Sequence, residues 1–315
     1  MRQVVMAHQQ SGYEIAQISK DAPEESRLNM PEEKQGELFS LDSPLLGGVQ
    51  GERSLMAYPF FALTKAAWTK PLAYRTDEVS IEIGPGPKGV ATIYDKEILL
   101  YIASLMVSKL DAGQRVGQTF QFTANDLFRV TGINSSSRSY SRLSDALERL
   151  QGTQIKTNIE AGGSGEEGFF SWLEAASLQY TKSPTGEKRL KSIKVRLCDW
   201  LYRAIMVDRH VLEYAPSYFE LGPVERRLYE VSRSLCVDGP VSVALDDLRL
   251  QLGYQASLRH FKYDLTKIIE ADVIPGFRFV LEEDEARATT TPAGRTIREY
   301  VVKILPEGMS KRLSS

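Results

Sequence analysis

Apolar and polar positions along this 315-residue chain follow two periods. EVSIEIG (78–84) alternates strictly, as a half-buried strand does. With GVATIY (89–94) and the turn GPGPKG (84–89), it predicts a hairpin over 78–94. SLMAYPFFALTK (54–65) is strand-like, and Pro59 confines it to an edge or an end. Asp95 is placed to cap a helix running to about Leu110. FQFTANDLFRVTG (120–132) predicts a short strand, a Thr123 cap and a short helix ended by Gly132. SSRSYSRLSDALERLQG (136–152) predicts a strongly amphipathic helix stopped at Gly152. TQIKTNIEAGG (153–163) and EGFFSWLEAASLQYTK (167–182) are β-like and joined by a glycine loop. RLKSIKVRLCDW (189–200) is a further strand leading into a helix, with TKSPTGEK (181–188) as its turn.

The pattern then recurs. PVERRLYEVSRSLC (223–236) is a helix opened by Pro223, and VSVALDDLRLQLG (241–253) is a strand and short helix. SLRHFKYDLTKIIEA (257–271) is a second long amphipathic helix. PGFRFVLEE (275–283) and REYVVKIL (298–305) are strands around a polar loop at 284–297. Asp126-Leu127 leads to Gly132 as Asp247-Leu248 leads to Gly253, with 5 residues from Leu to Gly in both. A three-residue insertion at Ser135-Ser136-Ser137 brings Leu143, Leu147 and Leu150 into register with Phe261, Leu265 and Ile268, so a true repeat is expected. Helix, helix, long helix and hairpin is the order of a winged helix-turn-helix. Residues 1–50 are rich in Gln, Glu, Ser, Pro and Gly with no sustained period, although ELFSLDSPLL (37–46) is an apolar island able to dock. The expected fold class is α+β, with ordered chain from near Glu52: two tandem winged-helix domains, 52–205 and 206–315, preceded by a disordered acidic N-terminal arm, 1–51.

Composition sets the class without changing this picture. With 42% hydrophobic and 25% charged residues, the chain reads as globular and large enough for two cores, which excludes a collagen-like or disulfide-built protein. Its two cysteines, Cys198 and Cys236, sit in apolar runs, as buried thiols in a reducing compartment do. No apolar run reaches a membrane span and no signal peptide is visible, so a cytoplasmic protein without membrane partners is expected.

The distribution of charge matters more than the net −2. Residues 1–56 carry −4, whereas 178–203 carry seven bases against two acids. A local field of that sign attracts a polyanion, although a charge run can also be plain solvated surface. If the two long helices read DNA, their amino ends face the bases. The first then offers Ser136, Ser137, Arg138, Ser139, Arg142 and Arg149, the three arginines falling on one polar face opposite Tyr140, Leu143, Leu147 and Leu150. The second offers Ser257, Arg259, His260, Lys262 and Lys267 opposite Leu258, Phe261, Leu265 and Ile268. Arginine can grip guanine with two hydrogen bonds, and serine can bond several groups. Lys182, Lys188, Arg189 and Lys191 flank the turn SPTG (183–186) and are candidates for phosphate contacts, as is Lys156.

Signatures of catalysis are lacking. The three histidines, His8, His210 and His260, have no metal-ligand spacing, and neither a phosphate-binding G-x-x-x-x-G-K-[ST] loop nor a G-x-S-x-G elbow occurs. GPGPKG and AGGSGEEG read as turns. The chain is expected to be no enzyme and to need no cofactor.

Several stretches resemble a known family. YPFFALTK (58–65), GVATIYDKEILLY (89–101), RSYSRLSDALERLQGTQIKTNI (138–159), FFSWLEA (169–175), LCDWLY (197–202) and ERRLYEVSR (225–233) are similar to the replication initiator protein A family of bacterial plasmids. The resemblance runs from about Arg53 to near Leu305. It implies an origin-binding initiator that binds repeated double-stranded DNA sites, helps open the adjacent duplex, and brings in the host replication initiator and the replicative helicase. The family block places Arg138, Tyr140, Arg142, Leu143, Ala146, Leu147, Leu150 and Gln151 on the first long helix, and Lys156, Thr157 and Asn158 on the next strand. The chain departs from the family at Ser232, Ser234 and Leu235, which leave less charge on that helix. An autorepressor that binds inverted repeats as a homodimer, and a winged-helix protein-interaction module with a free edge at 78–94, stay open as alternatives.

Overall fold

The computed structural model of the chain describes residues 41–163, 168–184, 186–290 and 296–307. Residues 1–40 of the expected arm lie outside the described residues. Its last part is packed. Leu45 is only 4% exposed; its N–H donates to Asp126 Oδ2 at 2.8 Å and its carbonyl accepts from Arg129 Nη2 at 3.0 Å. Asp42 accepts the Gln121 N–H on its carboxylate at 2.6 Å and donates its own to the Gln121 carbonyl at 2.7 Å. The described part of the apolar island, 41–46, thus docks on the first core through Leu45. β1 (Gln50–Glu52) then pairs antiparallel with Val211–Glu213.

Where a strand was expected over 54–65 the chain forms α1 (Arg53–Ala57). Glu52 is the reason: its buried carboxylate accepts the N–H groups of Ser54 and Leu55 at 2.8 and 3.0 Å, and so nucleates a helical turn. β2 (Leu72–Arg75) and β3 (Ser80–Gly84) follow. The expected hairpin over 78–94 does not form. β3 pairs with β2, which precedes it, and with residues 154–157, while 89–94 makes only isolated bridges, including Val90 to Trp68 and Thr92 to Ala62. Val90, Ala91 and Ile93 are all buried, so this apolar run fills core on every side instead of alternating.

α2 (Lys96–Asp111) begins at Asp95 as expected, but the Asp95 side chain does not cap it. It accepts the Thr92 N–H at 2.7 Å and binds Arg149. The first repeat unit is β4 (Thr119–Phe122), α3 (Ala124–Thr131), α4 (Ser137–Gly152), then β5 (Gln154–Thr157), β6 (Leu173–Lys182) and β7 (Lys188–Leu197). β5 joins β3 and meets the 167–182 segment only in the antiparallel bridge of Ile155 with Phe170; β6 instead forms a hairpin with β7, in a sheet of order β4-β7-β6. α5 (Asp199–Arg203), a π turn (Ala204–Asp208), β8 (Val211–Glu213) and a 3-10 turn (Pro216–Glu220) lead to α6 (Pro223–Leu235). The second unit is β9 (Val241–Ala244), α7 (Leu245–Leu252), α8 (Leu258–Ala271), β10 (Phe277–Thr290) and β11 (Thr296–Pro306). Its sheet order, β9-β11-β10, repeats β4-β7-β6.

The recurrence has a basis in capping chemistry, and the buried stripe keeps the expected register: Leu143, Leu147 and Leu150 are buried, as are Phe261, Leu265 and Ile268. α3 and α7 end at Gly132 and Gly253, with φ of 71° and 73°, a conformation glycine adopts without strain. α4 and α8 begin at Ser136 and Ser257, each accepting the N–H three residues on. Glycine to serine is four residues in both, so the three-residue offset between the buried stripes lies within the first turn of the long helices and not in the connection. Counted from the caps, Tyr140 matches Phe261, Leu147 matches Ile268, Arg138 matches Arg259, and Arg142 matches Tyr263.

The units have separate cores, one around Leu99, Phe122, Leu150 and Trp172, the other around Leu228, Leu248, Phe261 and Ile304. A buried ionic seam joins them. Lys96 donates to Glu230 at 2.6 Å and to the Leu55 carbonyl at 2.7 Å; Tyr218 and Tyr214 donate to the same carboxylate at 2.7 and 3.1 Å, and Arg227 at 3.2 Å. Arg226 pairs with Glu97 at 2.5 Å and lies against the rings of Tyr94 and Tyr218. Burial pulls Lys96 down to about 8 and pushes Glu97 up to about 7. The helix whose charge departs from the family pattern is thus an internal element. No helix among the described residues is long and apolar enough to cross a membrane.

Candidate nucleic-acid interface

α4 buries Leu143, Ala146, Leu147 and Leu150 and turns its polar side outward. Its serines divide. Ser136 Oγ accepts the Ser139 N–H at 3.2 Å, and Ser139, itself buried, donates to the Asn134 carbonyl at 2.6 Å. These two hold the cap, while Ser137 is exposed at the open end. Arg138 and Arg142 are exposed and form no ion pair among the described residues, so both guanidinium groups are available.

Arg149 does not share that face. It makes two 2.7 Å bonds to the Asp95 carboxylate and is 16% exposed. This pairing favours its charged form and raises its pKa. The turn before α2 covers the carboxyl half of α4. Lys88 reaches Asp145 at 3.0 Å and Glu148 at 3.9 Å, and a Cβ on Gly86 would lie 2.6 Å from the Gly152 carbonyl oxygen. The amino half of α4 is the more open to a ligand, with Ser136, Ser137, Arg138, Ser141 and Arg142 all exposed.

The β6–β7 hairpin carries the strongest charge, six bases against two acids over 173–197. Lys182 stands opposite Lys188, and Thr181 opposite Arg189, all exposed. Lys191 is the extra residue where the register shifts between Gln179 and Tyr180. Ile193, Val195 and Leu197 enter the core, so Lys194 and Arg196 project from the opposite face, Arg196 toward Glu174. Lys194 was not singled out from the sequence, although the alternation of 193–197 contains the signal. Lys156 stands apart, on β5 in the other sheet, with its ammonium 5.7 Å from the Phe169 ring.

In the second unit Ser257 caps α8 by accepting the His260 N–H at 3.3 Å. Arg259 is exposed and has no ion pair among the described residues. His260 lies 3.7 Å from Asp264. Lys262 folds over the Tyr300 ring at 3.2 Å and Lys267 over the Tyr263 ring at 4.2 Å. Leu258, expected in the core, is 40% exposed, because the buried stripe starts at Phe261. The second hairpin differs from the first in charge: Arg298 pairs with Glu283 at 2.8 Å and Lys303 with Glu282 at 2.7 Å, and 277–307 holds five bases against six acids.

Comparison with known proteins bears on these units. The profile of the family described as "Replication initiator protein A" matches residues 50–279. A relative from Wigglesworthia glossinidia brevipalpis, named for a role in replication, is 29% identical over 268 residues, covering 83% of this chain and 96% of the relative. A crystal structure of domains 2 and 3 of RctB superposes with a TM-score of 0.55 at 15% identity, covering 78% of this chain and 94% of that chain. A second RctB structure of the same domains gives 0.51 at 14%, covering 83% and 99%. At such identities the likeness to RctB is one of fold.

Proposed function

The chain belongs to the replication initiator protein A family, and from that premise we propose that it initiates plasmid replication by binding repeated double-stranded sites in an origin. Two winged-helix domains, 52–205 and 206–315, make the grip, with α4 and α8 entering successive major grooves and the β6–β7 hairpin resting on phosphates. The repeated sheet order and the fold shared with RctB support the domain reading. Several bound copies strain an A·T-rich neighbour until it opens, and the host initiator and replicative helicase are recruited there.

One observation carries the proposal: two helices with open, capped amino ends each bear, two residues past the cap, an arginine without an ion pair among the described residues, Arg138 and Arg259, and the first stands in the unit with the strongly basic hairpin. Contact by about five or six of these bases would make the log–log salt slope roughly −5. The test is a gel-shift series across salt, on duplexes selected from a random pool. Arg138→Ala and Arg142→Ala weaken selected duplexes more than random ones, by about 1–3 kcal/mol for each lost base contact. Lys188→Ala weakens both and flattens the slope by about one. Unchanged affinity in all three variants overturns the assignment.

A further inference from the structure

At equal distances from their caps, the exposed sides of α4 and α8 carry different chemistry. α4 has Arg138 and then Arg142 one turn on; α8 has Arg259 and then Tyr263. Tyr263 is 57% exposed although its ring is held. The Lys267 ammonium lies over it at 4.2 Å and the His260 ring stands 6.4 Å away, one turn earlier. His260 in turn faces Tyr254, whose hydroxyl donates to Asp264 at 2.5 Å. The nearest acid on α8 is thereby turned to Tyr254 and His260, and the outward neighbours of Tyr263 are Arg259 and Lys267. Leu258, at the first turn of the same helix, adds a second exposed apolar group. An aromatic face fixed among cations suits an apolar feature displayed within a polyanion. In the major groove that feature is the 5-methyl group of thymine.

We infer that Tyr263, on the outward row of α8, packs on a thymine methyl group, and that the second unit thereby reads A·T pairs where the first reads guanine through Arg142. The inference rests on the proposed binding of double-stranded sites. It gives the two halves of one site unlike sequence requirements, which a repeat with identical helices would not do.

The test uses the full chain and a duplex selected from a random pool, in which each thymine is replaced singly by deoxyuridine, removing only the methyl group. Wild type loses about fourfold in affinity at one or two thymines and little elsewhere, the value expected for one buried methyl. Tyr263→Ala binds more weakly and is indifferent to the same replacements. Tyr263→Phe, which keeps the ring, stays sensitive to them, as does Arg142→Ala. Wild-type indifference to every replacement overturns the inference while leaving the proposed DNA binding intact; so does a Tyr263→Ala protein that still loses fourfold at the same thymine. Failure to retain any duplex overturns both.

Discussion

Arg149 separates a structural arginine from a reading one. Its sequence position puts it in line with Arg138 and Arg142, yet its guanidinium is bound to Asp95 by two 2.7 Å bonds. Arg149→Ala would leave the Asp95 carboxylate, 3% exposed, with the Thr92 N–H as its strongest remaining partner. Breaking a buried pair costs roughly 3–5 kcal/mol, but Arg149 is at the rim and water can reach the vacated space, which lowers the cost to about 2–3 kcal/mol. For a chain of this size that lowers Tm by about 3–5 °C. Asp95→Asn in the same background recovers part of the loss, because the buried group left behind is then neutral. The assay is thermal or urea unfolding followed by circular dichroism, with gel shifts run on the folded variant well below its Tm. A measurable loss of stability with near wild-type affinity for selected duplexes is expected. An Arg149→Ala protein of wild-type stability that has lost specific binding would refute this reasoning.

Three further outcomes follow from the same geometry. Glu230→Gln removes the charge that faces Lys96 and Arg227 in the seam and is expected to cost about 3–5 kcal/mol in urea unfolding; an effect under about 1 kcal/mol would contradict a seam that joins the units. Lys96, held near 8 in the folded chain against 10.5 when free, gives up its proton earlier in the folded state. Between those pH values the unfolded chain binds more protons, so this group makes stability rise with pH, and the stability of wild type relative to Lys96→Met should grow across that window; a difference independent of pH would contradict this. Lys88→Gln leaves Asp145 and Glu148 without their cation on the outer side of α4 and should weaken duplex binding about two- to fivefold at low salt, with Asp145→Asn plus Glu148→Gln restoring it; no restoration would show that Lys88 acts in another way.

The elements that were legible carry their own local chemistry. α3, α4, α7 and α8 have serine or threonine caps, left-handed glycines or a strict helical stripe, and their ends fall where those residues put them. The segments that were misread depend on distant partners. α1 starts from a buried glutamate, outside the usual set of capping residues, and β1 finds its partner in β8, far along the chain. GVATIY is apolar enough for a strand but is buried on all sides by Trp68, Ala62 and α2. The same limit applies to the interface. Arg138 and Arg142 look no different in sequence from Arg149, Arg226 and Arg227, of which the first two are sequestered by Asp95 and Glu97 from other elements and the third by Glu230 on its own helix and by the Ala57 carbonyl of α1. Tyr263 is marked by its exposure and by the Lys267 ammonium over its ring, neither of which the sequence displays.

The central claim is that two similar units hold one DNA site through α4 and α8. Methylation of guanine N7 lies in the major groove and interferes with any helix seated there, so interference mapping on a selected duplex addresses the claim most directly. Two patches of interference are expected about one helical turn apart, roughly 10 base pairs. Arg138→Ala with Arg142→Ala should erase one patch and Arg259→Ala should weaken the other. A single patch, or two patches that both survive these substitutions, would contradict it.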